Sequence, residues 1–158
     1  MYNSKQIVGK KCYLTPLGLN ESDKIAAWQN DLKVQMNFDL VFTLTSDDVK
    51  YFLPETKRTS RIFGIVVNET DNLIGVAGLH EIDLISRHAM LSIYIGDEEY
   101  RGLGFGKEAV SLILDFGFNM LNLHNIGLFV AEFNKGAIKV YEKAGFKHAG
   151  RKRQVRIS

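Results

Sequence analysis

The sequence predicts an α+β (mixed α/β) domain with one central mixed sheet and helices on both of its faces. Two observations predict this class. First, three strand-like runs follow one another closely, at 61–68, 73–82 and 89–95, with turn-forming residues between them. Second, a helical pattern separates the third run from a strand at 125–131, which is the arrangement of a crossover between parallel strands. The chain of 158 residues suits a single domain, 1–158.

The N-terminal part predicts a strand followed by a helix. Residues 7–15 alternate weakly in polarity and form a first strand, which Pro16 closes. Residues 21–30 have helical spacing, and Asn20 or Ser22 can supply the N-cap. The apolar side of this helix consists of Ile25, Ala26 and Trp28.

Three more helices and a last strand complete the predicted order. A helix starts at the acidic turn 45–48 and stops before Pro54, since the residue before a proline disfavours helix. Further helices are predicted over 107–121 and 135–143, and a strand starts at Phe146. The apolar face of the helix at 107–121 holds Ala109, Leu112, Ile113, Phe116 and Met120. The first four strands are expected to be antiparallel.

Composition excludes several classes of protein. The net charge is +2, with 20 basic and 18 acidic residues interspersed, so nucleic acid is not an expected partner. No apolar run approaches the length of a membrane span, and the first residues lack the apolar core of a signal peptide. The single cysteine, Cys12, is expected to be a small buried residue in a reducing, cytoplasmic setting.

The most informative segment is Tyr100-Arg101-Gly102-Leu103-Gly104-Phe105-Gly106-Lys107, between a predicted strand and a predicted helix. Alternating glycines let bare backbone approach a ligand, and the N–H groups of a helix start attract anions. Arg101 and Lys107 add positive charge. The segment therefore predicts a phosphate or pyrophosphate cradle, and the alternative is a turn that only redirects the chain. Neither the P-loop pattern nor the dinucleotide pattern fits the spacing.

Arg101, Gly104 and Gly106 form the pattern Arg-x-x-Gly-x-Gly. A second block, Asn134-Lys135-Gly136-Ala137-Ile138-Lys139-Val140-Tyr141-Glu142-Lys143-Ala144-Gly145-Phe146, lies downstream. In this order the two blocks resemble the GNAT superfamily of acetyl-CoA-dependent N-acetyltransferases. The likeness is close over 73–148 and is strongest to the branch of ribosomal-protein alanine and spermidine acetyltransferases.

The resemblance implies the GNAT three-layer fold, with acetyl-CoA as co-substrate and no metal. It implies that the strands at 89–95 and 125–131 splay apart and admit the pantetheine arm. Tyr141 is then the general acid and Asn134 holds the cofactor arm; the alternatives are a core aromatic and a helix N-cap. The full set of implied cofactor-binding residues is Ile93, Tyr94, Ile95, Arg101, Gly102, Leu103, Gly104, Phe105, Gly106, Lys107, Asn134, Ala137 and Lys143.

The general base and the acceptor stay open. Glu81 and Glu132 are candidate bases by position, and an ordered water chain is a third source. The histidines lack metal-ligand spacing, although His80 is close to where an acceptor would enter. The acceptor is a primary amine: a protein N-terminus, a polyamine or another small amine, including amino sugars. The rival functions are a non-catalytic acyl-CoA-binding module or sensor and a nucleotide-phosphate binder.

The C-terminal region departs from the family pattern. After 146 the chain leaves no room for the additional strand that the family has, so that strand is expected to be missing, truncated or supplied by another chain. The last of these options allows a homodimer. The basic run 151–156 is expected to be a solvated strand or tail, and the alternative is a binding segment for an acidic partner.

Overall fold

The computed structural model describes residues 4–35, 43–55 and 58–148, and these form a six-stranded sheet with helices on both faces. The strands lie in chain order across the sheet: β1 Ile7–Val8, β2 Cys12–Pro16, β3 Arg61–Val67, β4 Leu73–Asp83, β5 His88–Ile95 and β6 Asn125–Gly127. The α-helices are α1 Ser22–Asn30, α2 Leu32–Gln35, α3 Ser46–Glu55, α4 Phe105–Asp115 and α5 Lys135–Lys143. Strands β1 to β5 are antiparallel, and β5 pairs with β6 in parallel, as predicted.

The first predicted strand is wrong in one respect, because residues 7–15 form two strands. β1 turns back on β2, with Ile7 opposite Leu14, and the Gly9 N–H donates to the Cys12 carbonyl at 2.8 Å. Weak alternation over 7–15 does not reveal this turn. The partner that stabilises it, Glu108 of α4, is distant in sequence.

Helices α1 and α3 depart from prediction at their ends. Ile25, Ala26 and Trp28 are buried as expected, but neither Asn20 nor Ser22 caps α1, because a 3₁₀ turn over Leu19–Glu21 leads directly into it. α3 starts where predicted but continues through Pro54 to Glu55. The residue before a proline disfavours helix but is not forbidden from it, so Pro54 did not set the end of α3.

The apolar core lies on both faces of the sheet. On one face, Ala109 and Ile113 of α4 and Phe116 just after it pack against strand residues such as Ile65 and Leu79. On the other face, Trp28 of α1 meets Tyr94 of β5 edge-to-face, with ring centroids 6.3 Å apart. The sheet is therefore the middle of three layers, and this confirms the predicted fold class.

Helix α4 begins at Phe105, before the predicted Lys107, and its end was also mispredicted. It passes into a π-helical turn over Phe116–Met120. Such a turn inserts an extra residue and rotates the later side chains off the apolar face. Met120 was expected to be in the core and is 73% exposed for this reason.

The C-terminal strands are shorter than predicted. β6 ends at Gly127 instead of 131, and residues 146–148 form no strand. The rest of the predicted final strand, and the basic run 151–156, lie outside the described residues. None of the helices that the structure describes is long and apolar enough to span a bilayer.

Glu108, in the first turn of α4, joins this helix to the β1–β2 turn. Its carboxylate accepts N–H groups from Lys10 at 3.0 Å, Lys11 at 2.8 Å and Cys12 at 2.9 Å, and the Cys12 thiol at 3.2 Å. Burial alone would raise the pKa of Glu108, but these donors outweigh burial and hold the pKa below its usual value. Burial, and then the bond to Glu108, raises the pKa of the Cys12 thiol to about 12, so this buried cysteine stays protonated.

We predict that Glu108→Gln lowers the free energy of unfolding by about 1–3 kcal/mol at neutral pH, because the amide leaves charge-assisted bonds unmade. The folded pKa lies below the unfolded one, so the contribution is complete above the unfolded pKa and is lost as pH falls through the folded pKa. Urea unfolding from pH 7 to pH 3 should show the difference between parent and variant shrinking with acid. Glu99→Gln, at an exposed position, is the control. A difference that is zero, or constant with pH, would contradict the assigned role.

Candidate active site

A crevice opens between β5 and β6. The two strands pair in parallel at only three positions, His88 with Asn125, Ala89 with Ile126 and Met90 with Gly127. β5 then continues to Ile95, while the chain after Gly127 forms no strand. Among the described residues, the edge of β5 over 91–95, about 16 Å long at ~3.3 Å per residue, therefore has no strand beside it on this side. This geometry agrees with the expected splaying.

Arg87 holds the closed end of the crevice. Its side chain donates from Nε to the Asn122 carbonyl at 2.9 Å and from Nη2 to the Asn122 side-chain oxygen at 3.1 Å. Its own carbonyl accepts the N–H groups of His124 and Asn125, at 2.7 and 3.1 Å. The start of β6 is thus fastened to the start of β5. The sequence did not predict this anchoring role of Arg87. Its backbone has a positive φ of 60°, a conformation that an arginine in the sequence does not indicate.

The glycine-rich loop lies at the other, open end of β5. Gly102 and Gly104 have φ values of 73° and 91°, which glycine adopts without strain, and Gly104 is the N-cap of α4. The first-turn N–H groups of α4 have no acceptor within the helix. No side chain of residue 104 stands before them, so an anion can approach the backbone directly. Leu103 and Lys107 are exposed beside this cradle, whereas Phe105 is buried beneath it and Gly106 is half-buried.

Arg101 has a different position from the one expected of a phosphate ligand. Its guanidinium donates from Nε to the Ile95 carbonyl at 2.9 Å and from Nη2 to the Gly96 carbonyl at 3.1 Å. These bonds tie the loop to the end of β5. Arg101 therefore orients the cradle, and its charge is already shared with two carbonyl oxygens.

Lys11 supplies a cation at the cradle that sequence reasoning missed. From the β1–β2 turn its ammonium donates to the Leu103 carbonyl at 2.6 Å and lies over the Phe105 ring, 4.8 Å from the centroid. A Cβ built on Gly104 would be 3.6 Å from Lys11 Nζ. No sequence motif joins positions 11 and 103, so only the folded chain brings them together.

Ile93, Tyr94 and Ile95 present their side chains to the two cores. Ile93 and Ile95 pack against the α4 side, and Tyr94 is buried under Trp28 on the opposite face. Burial raises the pKa of Tyr94 above its usual value. Only the backbone of this segment faces the crevice edge, which agrees with the expected mode of cofactor contact.

Helix α5 carries the second predicted block. The Asn134 side chain accepts the Ala137 N–H at 3.1 Å, which confirms the N-cap interpretation. Tyr141 lies two turns further along the same face, half-buried, with its ring edge-to-face on Phe146 at 5.9 Å. Burial raises its pKa, so the phenol keeps its proton at neutral pH. Lys143 is exposed in the last turn of α5.

The candidate bases differ in their surroundings. Glu81 is exposed at an irregularity of β4, with φ of 52°, and Glu132 is exposed before α5. His80 is half-buried, with Nε2 at 2.6 Å from the Ser92 hydroxyl and Nδ1 at 3.4 Å from the Ser60 hydroxyl. Within the described ranges, no three His, Cys, Asp or Glu side chains are grouped as metal ligands.

Comparisons with known proteins agree with this geometry. A family model described as an acetyltransferase (GNAT) domain matches residues 11–147. Spermidine N(1)-acetyltransferase of Vibrio cholerae is 41% identical over 86 residues, which cover 54% of this chain and 49% of that protein. The probable N-acetyltransferase YjcK of Bacillus subtilis is 30% identical over 156 residues, covering 90% of this chain and 83% of that protein.

A solved structure supports the same fold. The crystal structure of spermidine N-acetyltransferase from Vibrio cholerae in complex with CoA and spermine superposes with a TM-score of 0.83 at 28% identity, covering 90% of this chain and 84% of that one. These findings confirm the resemblance and the fold class predicted from the two motif blocks. The sequence alignment with the Vibrio enzyme spans about half of that protein's length.

We predict that Gly104→Val weakens acetyl-CoA binding at least ~10-fold, an effect of ~1.4 kcal/mol. A branched side chain at φ 91° is strained and would occupy the approach to the α4 N–H groups. Binding is measured by calorimetry, with the melting temperature of each unliganded variant recorded alongside. Gly136→Ala, where an added Cβ meets nothing within 4 Å, is the control. Equal affinity in the Val variant would show that residue 104 does not border the phosphate site.

Proposed function

We propose that this chain, which belongs to the GNAT acetyltransferase family, transfers the acetyl group of acetyl-CoA directly to a primary amine. The observation that carries the proposal is the crevice beside β5, which ends in the glycine cradle at the start of α4. The anion site at the start of α4 therefore lies at one end of the unpaired edge of β5. Acetyl-CoA has its groups in the matching order, because its pyrophosphate is followed by the amide-containing pantetheine arm.

We assign the pyrophosphate to the backbone N–H groups at 102–107, with the Lys11 and Lys107 ammonium groups at the rim. The β5 edge over 91–95 would hydrogen-bond the pantetheine amides as a neighbouring strand does. One of its N–H groups would also face the thioester oxygen and stabilise the charge that develops there. Asn134, Ala137 and Lys143 of α5 are proposed to border the arm from the other side.

The bound thioester supplies an activated acetyl group. In the reaction a C–N bond forms to the amine and the C–S bond breaks. The chain must remove one proton from the amine and deliver one to the departing thiolate. Tyr141 is our candidate donor, since its raised pKa keeps the hydroxyl protonated until the thiolate appears.

The acceptor is proposed to be a small-molecule amine. Polyamines come first, because the relatives include spermidine N(1)-acetyltransferases of Vibrio cholerae and Escherichia coli. Amino sugars and peptide N-termini complete the panel. Release of free CoA thiol with one of these amines, together with a melting shift by acetyl-CoA and none by ATP, would support the proposal. A shift without thiol release across the whole panel would favour a non-catalytic acyl-CoA-binding module.

We also propose that residues 1–158 act as one acetyltransferase domain in the cytoplasm. The matched segment 11–147 contains strands β2 to β6, the cradle and the crevice together, and a Cys12 thiol that forms no disulfide suits a reducing compartment. One solved relative is described as dodecameric, and we extend to this chain only the proposal of a homodimer. Sedimentation equilibrium measures the association state directly.

We predict that Tyr141→Phe lowers the turnover number ~10²-fold or more, the usual scale for a lost general acid. Acetyl-CoA affinity should change little, because the ring still packs on Phe146 and the proton matters only in the transition state. Steady-state kinetics with the best amine of the panel measures both quantities. Tyr13→Phe removes a hydroxyl bonded to Asp71 at 2.7 Å outside the crevice, so it should lower stability and spare turnover. Unchanged turnover in the Tyr141 variant would leave water as the proton source.

A further inference from the structure

On the face of the sheet opposite α4, next to the closed end of the crevice, Met90 and Ser92 of β5 are only half-buried, and we call this half-buried patch the depression. Beside it, Gly78 of β4 is buried and is paired with Ser92 of β5. A Cβ built on Gly78 would come 3.0 Å from the Arg61 carbonyl oxygen and 3.2 Å from His80 Nε2, so only glycine leaves the imidazole room to reach Ser92. Along β5, Tyr94 is buried under Trp28, whereas Ser92 and Met90 are only half-buried. Among the described residues, this face of β5 is therefore less covered at Ser92 and Met90 than at Tyr94.

The depression and the crevice adjoin at Ser92. Met90 is the last β5 residue paired with β6, so Ser92 is on the part of β5 whose edge is open. An arm that runs from the cradle along 91–95 has its reactive end at the closed end of the crevice. The Ser92 hydroxyl therefore projects from the strand segment nearest that end, on the face that is not covered by α4.

Three hydroxyl and imidazole groups meet there. Ser92 Oγ is 2.6 Å from His80 Nε2, and Ser60 Oγ is 3.4 Å from His80 Nδ1. With its proton on Nδ1, the imidazole accepts from the Ser92 hydroxyl through Nε2. The Ser92 oxygen then keeps a lone pair for a donor that enters the depression.

The charges around His80 leave it neutral. Burial lowers the pKa of His80 and outweighs the neighbouring Glu81 carboxylate, which would raise it and is exposed at an irregularity of the strand. On β3, the Arg61 guanidinium donates to the Ser60 carbonyl at 3.0 Å. On β5, the residues beside His80 are Met90 and Ser92, which carry no charge. Among the described residues, the depression therefore has a proton acceptor and no carboxylate of its own.

We propose that His80, acting through the Ser92 hydroxyl, accepts the proton of the attacking amine. The inference rests on the proposed acetyl transfer. As the C–N bond forms, the amine proton passes to Ser92 Oγ and the Ser92 proton passes to His80 Nε2, which becomes imidazolium. The C–S electron pair leaves on sulfur and is protonated from the acid side. Solvent then removes the imidazolium proton, so no other reagent is needed.

The test is the pH profile of kcat/KM from pH 5 to pH 9 for the parent, His80→Gln and Ser92→Ala, with the best amine of the panel. The parent rate should rise with pH through an inflection below ~6.5, since only neutral His80 accepts a proton. His80→Gln should lose ~10²-fold at neutral pH and lose this inflection. Ser92→Ala, which breaks the relay but keeps the imidazole, should also lose activity. The control is His124→Gln, at an exposed position outside the depression.

The melting shift with acetyl-CoA, measured on every variant, separates loss of function from loss of fold. A variant that keeps the shift and loses the inflection supports the inference. If the parent is active and either variant keeps both its rate and its inflection, His80 is a structural residue and the inference is wrong. If the parent binds acetyl-CoA but acetylates no amine, the proposed function fails, and the inference fails with it. If His80→Gln does not fold, Ser92→Ala alone decides, because its imidazole is intact.

Discussion

The structure depends on the constraint that β5 is paired on its β6 side at only three residues. Backbone N–H and C=O groups need hydrogen-bond partners. The open edge of β5 therefore favours binding of a ligand whose own donors and acceptors can pair with it. Two arginines maintain this geometry. Arg87 fastens β5 to β6 at the closed end, and Arg101 binds the carbonyl groups at the open end. The direction of the crevice and the place of the cradle both follow from these two anchors.

The start of α4 must attract an anion although it carries the negatively charged Glu108. A helix start binds anions best without a nearby negative charge, yet Glu108 is in the first turn of α4. The conflict is resolved because its carboxylate turns to the β1–β2 turn and accepts three backbone N–H groups. The same turn brings Lys11 to the rim of the loop. One contact thus keeps the helix start attractive to anions, places a cation beside it and stabilises the N-terminal hairpin.

The two faces of the sheet have separate roles. The α4 face contains the large core that holds the cradle rigid. On the opposite face, Trp28 of α1 covers Tyr94, and the half-buried Ser92 hydroxyl is hydrogen-bonded to His80 beside the crevice. In the proposed reaction, the amine would enter from the Ser92 side and meet the end of a cofactor arm laid along the strand edge. The two substrates would then reach one point by different paths.

The sequence by itself determined the order of elements, the three-layer class and the cradle, because these depend on local patterns: periodicity, alternating glycines at a helix start and an asparagine cap. It also placed Asn134 and Tyr141 on one face, since helical spacing requires this. Only the tertiary structure decided that residues 7–15 fold back as a hairpin, that Arg101 binds β5 carbonyls and that Met120 leaves the core. It alone brought Lys11 to Leu103 and His80 to Ser92. These outcomes depend on contacts between residues far apart in the chain, and no local pattern encodes which distant groups will satisfy a given donor or charge.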